Sequence, residues 1–333
     1  MPADRRKFLL RTGQALAGAA ALSMLPAGMP FAAGKRFANR TMRIVVPLGP
    51  GGTADILARL ISIPLGQALD ATVVVENRVG AGGVIGSLSV ARSAPDGLTL
   101  CLANASSHAI SPAIQKEAKY DPVKDFAPVG LIAEVPIVLV ASPTLGVSTL
   151  EALTALMKEK PGQFMYGSPG VGSLGHMRGE QLQQMTGTRM VHVPYKSTAE
   201  VSRALLADEI SVAFDNLPVS LPQIRAKRIV LLATTGESRN PEFPSIPTFG
   251  ELGYDAINSP SWFGLVAPAG TDAAVISDIH QALQQVLQAP ELARRITEIG
   301  GELSLGSPAA FGTQIEQAFS SASQAAKAHA ISL

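Results

Sequence analysis

From Met42 onward, short apolar runs alternate with longer stretches in which apolar residues recur every three or four positions. "MRIVVP", "TVVVEN" and "LTLCLA" read as strands, and helical periodicity fills residues 56–69 and 84–92 between them. That alternation predicts parallel strands joined by helical crossovers, an α/β unit. Pro64 falls inside the first helical stretch, where it removes a backbone hydrogen bond and is expected to kink or shorten the helix near Leu60. A second series opens with "PIVLVASPTLGVSTLEALTALMKEKPG", in which Ser148 or Thr149 is placed to cap a helix carrying Leu150, Leu153 and Leu156. Its strands are "FMYGSP", "RMVHVPY", "ISVAFDN" and "RIVLLATT". "SWFGLVAP" adds a strand, and "AAVISDIHQALQQVLQ" and "PELARRITEIG" are amphipathic helices that need a core to lie on.

The similar apolar strands "PIVLVASP" and "WFGLVAP" flank the second series, so they are read as the two crossings of a hinge between two α/β domains. The first domain is then discontinuous, residues 34–140 plus 262–333, and residues 141–261 form the second. A length of 333 residues, with 47% hydrophobic and 16% charged side chains, suits two globular domains.

Residues 1–33 read as an export leader: a basic start, an apolar stretch and small residues at the end. Arg5-Arg6-Lys7-Phe8-Leu9-Leu10 further resembles a twin-arginine signal and predicts a periplasmic mature protein. Removing the leader takes away Arg5, Arg6, Lys7, Arg11 and Asp4, which moves the formal net charge from +1 to −2. A slightly acidic chain without a basic cluster argues against nucleic acid or an anionic membrane surface as partner. The single cysteine, Cys101, excludes an intrachain disulfide and reads as a buried strand thiol.

Candidate chemistry lies in the glycine loops. "PLGPGGTADILARL" fails as a nucleotide P-loop because no lysine follows Gly52. It remains a strand, a glycine loop and a helix start, with Thr53 placed as cap and Asp55 in the first turn. Such a helix start is either a plain turn or a site whose free N–H groups hold a carboxylate. Asp55 is read as stabilising its own helix or loop. The loop "YGSPGVGSLGHM" formally fits the dinucleotide fingerprint at Gly170, Gly172 and Gly175, but the strand after it ends in Tyr195 and Lys196 where an acid should hold a ribose. Gly52 and Gly172 are expected to hold positive φ. The five histidines show no metal-ligand spacing, so neither metal nor cofactor is expected. Arg78 has local partners in Glu76 and Asn77 and is assigned to fixing its loop.

Eight segments taken in order, "IVVPLGPGGTADILAR", "VENRVGAGGVIG", "APDGLTL", "YDPVKDFAPVGLI", "YGSPGVGSLGHM", "VPYKSTAE", "ISVAFDN" and "SWFGLVAPAGT", resemble the Bug-type substrate-binding receptors of tripartite tricarboxylate transporters. The resemblance runs from about Met42 to the C-terminus. It implies a two-lobed, type II periplasmic binding protein that closes on a small carboxylated solute. It also implies that the loops around Leu48–Asp55 and Ser168–His176 face each other across the cleft. The site residues that follow are Leu48, Gly51, Gly52, Thr53 and Asp55; Ser106 and Ser107 of "ANASSHAI"; Ser168, Gly170, Gly172, Ser173 and His176; Tyr195 and Lys196; and Asp215.

A binding protein needs hydrogen-bond donors and closure but no general base, and no acid–base pair stands out in these loops. The chain is therefore read as a monomeric receptor that delivers its solute to the membrane subunits of a transporter. A dehydrogenase or hydrolase using the glycine loops, and a receptor feeding a sensor kinase, are the competing readings.

Overall fold

The computed structural model describes residues 36–116 and 118–328, so the export leader read in residues 1–33 lies outside the described residues. In chain order the elements are β1 (Thr41–Val46), α1 (Thr53–Leu69), β2 (Thr72–Asn77), α2 (Val84–Ala91), β3 (Thr99–Asn104), a π-helical turn over Ser106–Ile110 that runs on into α3 (Ser111–Ile114), and β4 (Phe126–Val135). The second series holds β5 (Ile137–Ala141), α4 (Leu150–Glu159), β6 (Met165–Ser168), α5 (Leu174–Thr186), β7 (Val191–Pro194), α6 (Thr198–Leu206), β8 (Val212–Asn216), α7 (Leu217–Arg225) and β9 (Val230–Thr234). The chain then returns through β10 (Ser261–Pro268), α8 (Ala273–Leu287), α9 (Pro290–Glu298), β11 (Glu302–Leu303) and α10 (Pro308–Ala328).

These elements build two lobes, each a mixed sheet covered by helices. The first sheet has the order β11-β4-β10-β3-β1-β2 and the second β7-β6-β8-β5-β9. The expectation of parallel sheets holds for β1 with β2 and β3, and for β6 with β7 and β8. It fails at the crossings: β10 is antiparallel to β3 and β4, and β5 is antiparallel to β8 and β9. The reason is directional. The parallel strands reach the cleft at their C-terminal ends, and a chain entering a lobe through the cleft must start its strand there and run the other way.

The passage out of the first lobe falls at Pro136, between β4 and β5, so residues 137–140, which the hydrophobic pattern assigned to the first domain, pair within the second sheet. The return begins after Thr235 and ends where β10 starts. The two crossings are tied together at the cleft, where Ile137 N–H donates to Thr235 Oγ1 at 2.9 Å and Thr235 N–H to the Ile137 carbonyl at 2.8 Å.

Helix α1 shows which effect wins at Pro64. It runs on to Leu69 with Pro64 inside it, so it is not shortened near Leu60. An interior proline costs about 3 kcal/mol. Leu57, Ile61, Leu65 and Leu69 are fully buried against Met42, Ile44 and Val46 of β1 and Ile279 and Leu283 of α8. Each such side chain contributes about 1.5–3 kcal/mol, and together they offset the lost bond. Thr149 caps α4 by accepting from Ala152 N–H at 3.1 Å, one of the two alternatives read from the sequence. Cys101 is fully buried in β3, and burial pushes its thiol up to about 12. No described helix is long and apolar enough to cross a membrane.

Candidate ligand-binding cleft

The first glycine loop is shaped by its own acid. Gly51 takes φ +76°, and its N–H donates to Asp55 Oδ2 at 3.0 Å, the same oxygen that accepts from Arg59 Nε at 3.0 Å. Burial pushes the Asp55 carboxyl up, but the bonds from Arg59, Gly51 and Asn77 outweigh it and hold the group below the usual carboxylate range. Asp55 therefore stabilises its loop. Two details differ from expectation. Gly52 is the N-cap residue with an extended backbone, φ −80° and ψ 168°, so positive φ belongs to Gly51; and Thr53 is the first helical residue, with no side chain capping α1. The first N–H groups of a helix have no intrahelical acceptor, and the Thr53 hydroxyl beside them is buried without a partner.

The second loop is built more tightly. Gly170 and Gly172 take φ +122° and +81°. Ser173 is the N-cap of α5, its Oγ accepting from His176 N–H at 3.3 Å, while His176 Nδ1 accepts from Gly172 N–H at 3.3 Å. Behind the loop, the rings of His176 and His192 stack with centroids 4.2 Å apart, and Tyr166 stacks on His192 at 4.8 Å. Ser168 Oγ lies 2.7 Å from His192 Nε2. Burial, with the neighbouring His176, pulls His192 down to about 4; burial also lowers His176 against the opposing pull of Glu180. Both rings are neutral at pH 7, which leaves Nδ1 of His176 free to accept.

Between the lobes lies a small cavity of about 30 Å3 lined by residues that include Leu48, Asn104, Ser106, Thr198, Asp215 and Ser261, room for the centre of roughly one water. Around it the lobes touch directly. Gly49 N–H donates to the Lys196 carbonyl at 3.2 Å, Leu174 N–H to Ser106 Oγ at 3.0 Å, Ser111 Oγ to the Gly172 carbonyl at 3.1 Å, and Gln115 Nε2 to the Val171 carbonyl at 3.1 Å. The Ser106 hydroxyl thus sits at the start of α5, where an anion would be favoured.

Of the predicted residues, Leu48, Ser106 and Asp215 line this cavity together, and the second glycine loop reaches it through Pro169, Leu174 and Gly175. The first loop meets the 196–199 turn: a Cβ on Gly52 would lie 2.9 Å from Thr198 Oγ1. Other predicted side chains lie outside this cavity. Lys196 is exposed, and its N–H donates to Glu200 Oε2. Tyr195 packs with the apolar cluster of the second lobe. Ser107 is fully buried, its hydroxyl 2.9 Å from His108 Nδ1. Arg78 pairs with Glu76 at 2.6 Å, as its local partners suggested.

The pattern missed Thr198, Asn216 and Ser261. Thr198 stands in the segment "VPYKSTAE" next to the N-cap Ser197, which was its available signal. Arg178 was missed as well: it is buried and ties α5 to the return crossing, donating to the Ala256 carbonyl at 3.0 Å and to Ser259 Oγ at 2.5 Å, while burial pulls it down to about 10. Two buried donors of cavity-lining residues, Asn104 Nδ2 and Thr198 Oγ1, have no partner in the protein, nor does Thr53 Oγ1 at the start of α1. Among the described residues no cluster of His, Cys, Asp or Glu has the arrangement of a metal site.

The chain matches the sequence profile described as "Tripartite tricarboxylate transporter family receptor" over residues 57–322 and belongs to that family. Protein BugT of Bordetella pertussis is 34% identical over 270 residues, covering 81% of this chain and 83% of BugT. The solved structure of the periplasmic binding protein BugD is similar with a TM-score of 0.85 at 29% identity, covering 89% of this chain and 99% of BugD. The structure of R. palustris Rpa4515 with adipate gives a TM-score of 0.83 at 32% identity, covering 88% of this chain and 98% of Rpa4515.

Proposed function

As a receptor of the tripartite tricarboxylate transporter family, we propose, this chain captures a small carboxylate between its lobes in the periplasm and presents it, as a monomer, to the membrane subunits of a transporter. One observation carries the reading: the cavity between the lobes is lined by Asn104 and Thr198, whose buried donors have no partner, and the helix starts of α5 and α6 lie at it. Buried donors without acceptors are costly in the free protein, and a carboxylate repays that cost by accepting from them. The helix starts supply further N–H groups and the positive end of the dipole, so binding needs no lysine or arginine in the cleft. The lobes part to admit the solute and close again about the crossings at Pro136 and residues 235–261. The adipate held by the relative Rpa4515 fits the same class of ligand.

A thermal-shift screen of the purified protein against a carboxylate library tests this. A ligand at about a hundred times its dissociation constant adds about 2.7 kcal/mol of stability; a library in which no carboxylate raises the melting temperature refutes the reading. Export by the twin-arginine route is part of the proposal and rests on Arg5-Arg6-Lys7-Phe8-Leu9. Arg5→Lys with Arg6→Lys should strand precursor in the cytoplasm, and an unchanged periplasmic yield would remove that route while leaving the receptor reading intact.

A further inference from the structure

The cleft read as a carboxylate site contains a buried carboxylate of its own. Asp215, at the end of β8, is 3% exposed and lines the cavity with Leu48, Asn104, Thr198 and Ser261. None of the ion pairs among the described residues includes it. Its Oδ1 accepts from Asn216 N–H at 2.8 Å and its Oδ2 from Ser220 Oγ at 2.7 Å. Both donors are neutral, and each carboxylate oxygen keeps accepting capacity beyond one bond. The apolar part of the same lining is formed by Phe214, Phe263 and Ile137.

The groups facing this space are chemically lopsided. Asn104 and Thr198 offer donors that lack an acceptor, and Asp215 offers an acceptor that lacks a strong donor. A solute that carries an acceptor at one position and an N–H or O–H at another satisfies both needs. A plain diacid satisfies the first and sets its second charge against Asp215 or leaves that acid unmet.

Resting on the carboxylate reading above, we propose that Asp215 makes the receptor selective for carboxylic acids bearing a hydroxyl or amino group, over the plain acids of the same chain length. Burial pushes the Asp215 carboxyl up to about 7, consistent with an acid short of donors. A hydrogen bond to a charged partner corresponds to a preference of about tenfold to a hundredfold.

Calorimetry with matched ligands tests the idea: succinate against malate and aspartate, glutarate against 2-hydroxyglutarate and glutamate, adipate against 2-aminoadipate. The hydroxy and amino arms tell which donor is used. At a chain length that binds, a substituted acid should bind at least about tenfold tighter than its parent, and Asp215→Asn should bring the two within about threefold. Ser220→Ala, which leaves Asp215 one donor fewer, should widen the preference and serves if the first variant does not fold. Parents that bind as well as both substituted forms, or a preference unchanged in Asp215→Asn, overturn the selectivity while sparing the carboxylate site. If none of these acids binds but another carboxylate does in the thermal screen, Asp215 selectivity falls alone; if none binds in either assay, both readings fall.

Discussion

Replacing Asp215 with asparagine should stabilise the protein in neutral and alkaline solution and do nothing in acid. The folded-state carboxyl is pushed from its ordinary 3.8 up to about 7, first by burial, with the bonds from Ser220 and Asn216 opposing. Below about pH 3 the group is protonated whether the chain is folded or not, and its ionisation contributes nothing. As the pH rises toward 7, the unfolded chain gives up the proton that the folded chain retains, so the unfolded state gains and stability falls. About three pKa units at 1.36 kcal/mol each set an upper bound of about 4 kcal/mol, reached near pH 8. Asparagine carries no charge, and it fits the same partners by accepting from Asn216 N–H through Oδ1 and donating from Nδ2 to Ser220 Oγ. All other titrating groups are common to both proteins and cancel in the difference. Thermal melts of wild type and variant, followed by circular dichroism, should therefore nearly coincide at about pH 3 and separate by on the order of 5–10 °C at pH 8, the variant higher. A gap that does not change with pH, or a variant that melts lower at pH 8, would refute the buried-charge argument.

In the second glycine loop, a Cβ on Gly172 would lie 2.2 Å from Gln115 Nε2 at φ +81°, so Gly172→Val should lower affinity for a ligand found by the thermal screen by at least about tenfold. Lys196→Ala, at an exposed position, should change it by less than about threefold; the reverse order in calorimetry would mean that a salt bridge carries recognition. Thr198→Val deletes a buried hydroxyl that has no partner, so chemical denaturation should show stability held within about 0.5 kcal/mol or raised, while affinity drops about tenfold. A destabilised variant with unaltered binding would show the hydroxyl to be structural. The neutral His176–His192 stack contributes stability that is present above the ordinary histidine value of 6.5 and lost as the pH falls toward about 4. Melting profiles of wild type and His192→Gln should accordingly converge or cross in that window, and parallel profiles would rule the stack out as the acid-sensitive element.

The strands and helices of this chain are legible because their causes are local. "TVVVEN" is β2 to the residue, Thr149 caps α4, and the helix read over residues 56–69 is found from Thr53 to Leu69. The glycine loops were legible too, since strand–glycine–helix order is written in consecutive residues. That Pro64 leaves the length of α1 intact was not legible, because its effect depends on what the neighbouring Ile61 and Leu65 pack against, and that partner surface comes from β1 and α8, far away in sequence. The antiparallel course of β5 and β10 likewise depends on the end from which the chain enters each sheet, which hydrophobic periodicity does not encode. The site divides in the same way. Leu48, Ser106 and Asp215 were named through the family resemblance, but the sequence holds nothing that says Lys196 points to solvent while Thr198, two residues later, faces Gly52 across the cleft. Nor does it say that Asp215 is buried and outside every ion pair among the described residues. Those facts arise when two lobes bring together segments more than a hundred residues apart, because burial and partner supply, which determine what a polar group can do, are properties of the assembled space around it.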